Sequence, residues 1–189
     1  KNSMVTFLLG YLTFLSIVYS LLVLFSREVI YLFTTPEFYN AYIIVSILGL
    51  VYFTSGVYRV FTNIISFHNA TWIISIAAFI QAIINVILNF MFIPMIGMYA
   101  AALSTLISML AYTIWIIYWS QKLERLEIKY SSVFKILGLM MLLLFSSLLI
   151  DINNDLSLEL VLSKVVVFII FIFFLMNLES SDNFRIILN

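Results

Sequence analysis

Residues 72–93, WIISIAAFIQAIINVILNFMFI, decide the fold. The run has no ionisable group, no Gly and no Pro, yet Gln81, Asn85 and Asn89 recur along it at four-residue steps. A span across the hydrocarbon of a bilayer takes about 20 mostly apolar residues. Residues four apart share one face of a helix. The run therefore reads as a membrane-crossing helix whose polar groups lie on a single stripe.

Five more stretches of the same kind flank it. Residues 4–25 carry no charge, 41–67 are broken only by Arg59, and 99–119 are uncharged. Residues 133–150 and 160–178 each have one lysine near the start, Lys135 and Lys164. Composition agrees: of 189 residues 65% are hydrophobic and 10% charged, where a soluble domain is about a quarter charged. No disulfide scaffold is possible without Cys, and nine basic against nine acidic residues exclude the basic footprint of a nucleic-acid binder. Five Gly and two Pro, with no alternating segments of about ten residues, speak against a β-barrel. The expected fold is all-α: a bundle of six transmembrane helices.

Polar and small residues indicate which faces turn inward in lipid. In 41–67, Tyr52, Ser55, Gly56, Arg59, Asn63 and Ser66 fall on one stripe. In 99–119 the stripe is Ala101, Ser104, Thr105, Ser108, Ala111 and Tyr112, and 4–25 has a weaker one in Thr6, Gly10, Thr13 and Ser20. These faces are expected to converge on a shared interior. The last span, uniformly Val, Ile, Phe, Leu and Met from 165 to 176, reads as peripheral. The organisation expected is thus a four-helix part over 1–123 (spans about 4–25, 41–67, 72–93 and 99–119). Two appended helices and a short tail then occupy 124–189 (spans about 133–150 and 160–178).

Arg59 is the most informative single residue. A cation within a span costs at least ~2.5 kcal/mol unless it snorkels or faces water or a partner. Its place in the middle of a polar stripe favours a cavity-lining role over snorkelling. Lys164 and Lys135, nearer span ends, read as snorkelling lysines. Between spans, residues 26–40 read as a helix end followed by an interfacial half-turn, stopped at Thr34-Thr35-Pro36. His68 sits in a polar turn. The catalytic inventory is empty: one His, no Cys, no acidic residue inside the spans so drawn, and no H-E-x-x-H, G-x-S-x-G or phosphate loop. Neither enzymatic activity nor a cofactor is expected.

Alternating the spans collects Lys1, Lys122, Arg125, Lys129, Lys135 and Arg185 on the starting side, against Arg27 and Lys164 opposite. By the positive-inside rule both ends of the chain are expected to be cytoplasmic. Trp72, Trp115, Tyr118, Trp119 and Tyr130 fall at span ends, where interfacial aromatics belong. The first residue is Lys, with no signal-peptide pattern before the first span, and the chain reads as a piece of a longer protein.

Residues 85–108, NVILNFMFIPMIGMYAAALSTLIS, resemble a signature of polysaccharide-biosynthesis flippases. These are the Wzx-type O-antigen and capsule transporters of the multidrug/oligosaccharidyl-lipid/polysaccharide exporter superfamily. Members typically read N-x3-N-x3-I-P-x2-G-x2-G-A-A-x-A-T here. Asn85, Asn89, Pro94, Gly97, Ala100, Ala101, Ser104 and Ser108 carry the likeness, while Tyr99 stands where Gly is common. Upstream, VIYLF (29–33) with EFYNA (37–41) is similar to a second family element, although Glu28 replaces a common Pro and Thr35-Pro36 the usual Gly.

The resemblance implies the C-terminal lobe of a two-lobe, alternating-access transporter in the bacterial cytoplasmic (inner) membrane. Its substrate would be an oligosaccharide linked to undecaprenyl pyrophosphate. Its partners would be membrane lipid, that substrate and an N-terminal lobe of the same chain. Candidate cavity residues are Arg59, Tyr52, Ser55, Asn63, Gln81 and Asn85, with Arg59 as the cation for pyrophosphate. Asn89, Pro94, Gly97, Ala100, Ala101, Ser104 and Ser108 are expected to pack helices, with Asn85 and Asn89 reading most simply as hydrogen-bonding glue against the helix that carries Ala100, Ala101, Ser104 and Ser108. Two other functions compete: a cation-coupled multidrug exporter, which would favour an intramembrane carboxylate, and a non-transporting membrane assembly subunit.

Overall fold

The computed structural model describes the backbone of residues 2–125, 130–153 and 158–187. Side-chain surroundings are described for 10–125, 135–136, 138–147, 149–150 and 159–177. The expectations resting on Lys1, Lys129 and the side chains of Thr6, Tyr130 and Arg185 lie outside these residues. The described chain is helical throughout: α1 Asn2–Phe33, a 3-10 segment Pro36–Ala41, α2 Tyr42–Phe67, α3 Trp72–Ile96, α4 Met98–Leu123, α5 Tyr130–Asn153 and α6 Leu158–Ile187. Among the described residues five stretches are long and apolar enough to cross a membrane: Gly10–Phe33, Pro36–Phe67, Trp72–Ile96, Met98–Leu123 and Glu159–Asn177. α5 is 24 residues long, about 36 Å, and its described apolar core is Gly138–Ser147.

Local chemistry sets the breaks. α1 does not stop at residue 25 but runs on to Phe33, since nothing between Ser26 and Phe33 interrupts a helix. Pro36 then pushes Thr35 into extended backbone (φ −88°, ψ 160°) and opens the 3-10 segment as its first residue. Thr34 closes the helix with its amide and hydroxyl both on the Ile30 carbonyl, at 2.9 and 2.7 Å. α2 ends in a Schellman turn. Asn69 takes the left-handed conformation (φ +54°), Ala70 N–H bonds Ile65 O, and Asn69 N–H bonds Ser66 O.

The link between α3 and α4 is shorter than expected. Pro94 belongs to the last turn of α3, where it forgoes one ladder bond and crowds the carbonyl four residues back, just before the helix ends. Gly97 alone makes the turn, at φ +59° and ψ −136°, a region that glycine enters without a Cβ clash.

The helices group into two compact units, 1–46 with 127–189, and 47–126. This differs from the grouping expected from polarity, which joined the first helix to the next three. In the first unit α1 packs with α5 and α6. Ser16 Oγ meets Met140 Sδ at 3.8 Å and Ser147 Oγ donates to Val23 O at 3.3 Å, so α5 runs parallel to α1. Leu12, Ser16, Tyr19, Ser20, Val23 and Leu24 make the buried face of α1, and Ile136, Met140, Leu143 and Ser147 that of α5. Buried serines let backbones approach closely in a membrane bundle.

In the second unit α3 and α4 form a tight antiparallel hairpin, and Tyr58 of α2 meets Tyr112 of α4 edge-on at 4.8 Å. α4 buries Ala100, Ala102, Ser104, Ser108, Tyr112, Thr113, Ile116 and Ser120, while α3 buries only Ile73 and Ala77. The outer face of α3, with Phe79, Val86, Phe90 and Met91 exposed, has the character of a lipid-facing surface.

Candidate functional site

Polarity within the second unit falls into two separate sets. The first lies between α3 and α4. Asn85 Nδ2 donates to Thr105 Oγ1 at 3.4 Å and to Ser108 Oγ at 3.3 Å, and Asn89 Nδ2 donates to Asn85 Oδ1 at 2.9 Å. One turn earlier, Gln81 Nε2 reaches Met109 Sδ at 3.7 Å. Thr105 and Ser108 pass their own hydroxyl protons to Ala101 O and Thr105 O. The four-residue spacing of the amides on α3 matches the Thr105, Ser108 and Met109 positions on α4, so the two polar faces zip together. On α4 Ala100, Ser104 and Ser108 are buried and Ala101 is half-buried, and Pro94 and Gly97 stand at the turn between the two helices.

The second set is the stripe on α2. Tyr52 is 72% exposed, and Arg59, Asn63 and Ser66 are exposed beside it, while Ser55 is half-buried and bonded to its own helix at Val51 O. These residues stand 7, 11 and 14 positions from Tyr52, which puts them within about 60° of one another around a helix. Among the described residues the Arg59 guanidinium has no ion-pair partner. It lies about 12 Å along the helix from Phe67.

The six expected cavity residues thus do not gather in one place. Gln81 and Asn85 are spent on α4, because an amide in lipid is better satisfied by a neighbouring helix than left open. Tyr52, Arg59 and Asn63 remain together on an open face. No hydrogen bond joins the two sets among the described residues.

A collar of aromatic and charged groups marks one end of the α3–α4 hairpin. Trp72 meets Trp119 edge-on at 5.8 Å, Trp115 and Tyr118 approach Trp119 at 6.1 and 5.9 Å, and Lys122 Nζ stands 4.8 Å over the Trp119 ring. His68 Nε2 lies 3.4 Å from Glu124 Oε2, tying the α2–α3 turn to the end of α4. Amphipathic rings with polar side chains half open to solvent at one level are the arrangement of a membrane–water interface.

The first unit holds a feature that the sequence reading missed. Lys164 does not snorkel: it is fully buried, and its Nζ lies 2.7 Å from Glu28 Oε1. Nor are the spanning helices free of acid, since Glu28 lies within the Gly10–Phe33 span once α1 is followed to its end. The available signal was the unbroken apolar run 29–33 after Glu28, which extends the helix past the charge. No group of three or more His, Cys, Asp or Glu that could hold a metal occurs among the described residues.

These observations define a class: a multi-pass, all-helical membrane protein with a polar, open stripe on one spanning helix. No protein-family model, no curated protein and no solved structure matches the chain.

Proposed function

We propose that this chain is the C-terminal part of a flippase that carries a lipid-linked oligosaccharide of the undecaprenyl-pyrophosphate type across the bacterial cytoplasmic membrane. The likeness of residues 85–108 to the flippase signature suggests the reading. One observation supports it above the rest: Tyr52, Arg59, Asn63 and Ser66 lie open along one face of a membrane-spanning helix. Facing lipid, that stripe would cost several kcal/mol for Arg59 alone. Facing a water-filled path between two lobes, it is solvated and free to meet substrate.

The chemistry of the stripe fits the substrate. A guanidinium offers paired N–H donors to two oxygens of a diphosphate, and Tyr and Asn side chains offer hydrogen bonds and a ring face to sugars. Both chain ends then face the cytoplasm, with the His68–Glu124 and Trp72–Trp119 collar at the cytoplasmic interface.

The deciding experiment is export of surface polysaccharide in a strain lacking its own flippase, supplied with the full-length protein carrying Arg59→Ala. Loss of export at unchanged membrane levels supports the reading. Export at parental strength refutes the role of the stripe.

Cation-coupled export gains one observation, the carboxylate of Glu28 on a spanning helix. That carboxylate is already engaged by Lys164, which weighs against a free coupling site.

A further inference from the structure

We propose that the Glu28–Lys164 pair is an intramembrane lock that fixes which face of α6 seats on α1, a choice that apolar packing does not make. The inference stands apart from the transport reading.

The pair is close and enclosed: Nζ to Oε1 is 2.7 Å, with the Lys164 side chain 0% and the Glu28 side chain 13% exposed. Among the described residues of α6 the buried positions are Leu160, Lys164, Phe171 and Leu175, one narrow seam. The remaining described surface is apolar and open, including Leu162, Val166, Ile169, Ile170, Phe173 and Met176. Ser163, the nearest other polar side chain, turns back onto its own helix at Leu160 O.

In water such a seam would drive docking by itself. In lipid it does not, because an apolar side chain exchanging lipid for protein gains little. Leu160, Phe171 and Leu175 are then scarcely better placed in the bundle than in the bilayer, and the faces of α6 are nearly equivalent. Lys164 breaks that equivalence. Only one orientation of α6 brings the ammonium to a carboxylate, and every other leaves a cation in hydrocarbon or forces it to stretch to the surface. Glu28 has the reciprocal need on α1. A buried polar pair that sets helix orientation and register, rather than adding net stability, is the best-attested use of such groups.

The natural chain has no Cys, so single reporter cysteines can be placed without background. Leu160→Cys lies on the buried seam one turn before Lys164, and Leu162→Cys lies on the open face of the same turn. Each is treated with a water-soluble maleimide in membranes holding the full chain, and labelling of 160 is read relative to 162. In the parental background 160 is expected to be protected. The decisive variant replaces both charges, Glu28→Leu with Lys164→Met, which leaves no buried charge unpaired. The lock predicts a several-fold rise in relative labelling of 160, up to the level of 162. Protection unchanged in that variant would show that packing alone chooses the face of α6 and would overturn the proposal. The exchange Glu28→Lys with Lys164→Glu should keep 160 protected, and labelling of that variant at the level of 162 would also overturn it. If the apolar variant does not accumulate, the exchanged variant decides alone by the same two outcomes.

Discussion

The Asn85 amide of α3 bridges to Ser108 Oγ on α4 at 3.3 Å, across a hairpin whose only linking residue is Gly97. Asn85 is also bonded to Thr105 and accepts from Asn89, so it is the centre of the polar seam. Interhelical hydrogen bonds in membranes are worth about 0.6–2 kcal/mol each. Asn85→Leu is therefore expected to lower the stability of the protein in detergent by roughly 1–2 kcal/mol, with Gln81→Leu, which leaves only a weak sulfur contact, costing less. Thermal unfolding followed by tryptophan fluorescence checks the order, and equal losses at both sites would contradict it.

Gly97 and Gly138 should respond in opposite ways to alanine. At Gly97 a Cβ meets no neighbour within 4 Å, so the cost is in the backbone: φ is +59°. Holding a non-glycine residue there costs on the order of 1–3 kcal/mol. Gly138 also has nothing within 4 Å but lies inside α5 with ordinary helical backbone, where alanine is about 1 kcal/mol better than glycine. Gly97→Ala should lower the unfolding temperature, and Gly138→Ala should leave it unchanged or raise it.

Arg59 separates a charge requirement from a geometric one. If two guanidinium N–H groups grip a diphosphate, Arg59→Lys retains part of the export activity and Arg59→Ala loses at least about tenfold, a loss of one charge-assisted pair. Equal activity of Lys and Arg would mean that a point charge suffices. Equal membrane levels of the three proteins, measured by immunoblot, are the control.

Membrane sidedness gives a fourth expectation. Reporter fusions after Asn69 and after Leu123 should report the cytoplasm, and insertions at Thr35 and at Gly97 the opposite side. The aromatic collar of Trp72, Trp115 and Trp119 then lies at the cytoplasmic interface. A reversed pattern would invert the assignment while leaving the helices intact.

Much of the architecture was legible in residue order. Breaks at Thr34-Thr35-Pro36 and His68-Asn69-Ala70-Thr71 follow from proline sterics and the tolerance of Asn for left-handed backbone. The polar face of α3 was legible too, because amides four apart can only share a face. What it touches was legible in part: Asn85 suited both a cavity and interhelical glue, and its bonds to Thr105 and Ser108 make the face a seam. Glu28 was misjudged for a simpler reason. A span measured by apolar length ends at the first charges, whereas a helix ends where its backbone is interrupted, eight residues further on.

By itself the sequence determined the class of protein and the run of its helices, because both follow from local quantities. Long apolar segments must satisfy their backbone internally in lipid, and turns need particular residues at particular places. Only the tertiary structure decided that α1 packs with α5 and α6 and that Lys164 is buried against Glu28. Those choices are made between segments far apart in the chain, and in a bilayer the apolar pattern does not make them. With lipid as apolar as leucine, a few polar pairs select among helix arrangements that hydrophobicity leaves nearly equal in energy.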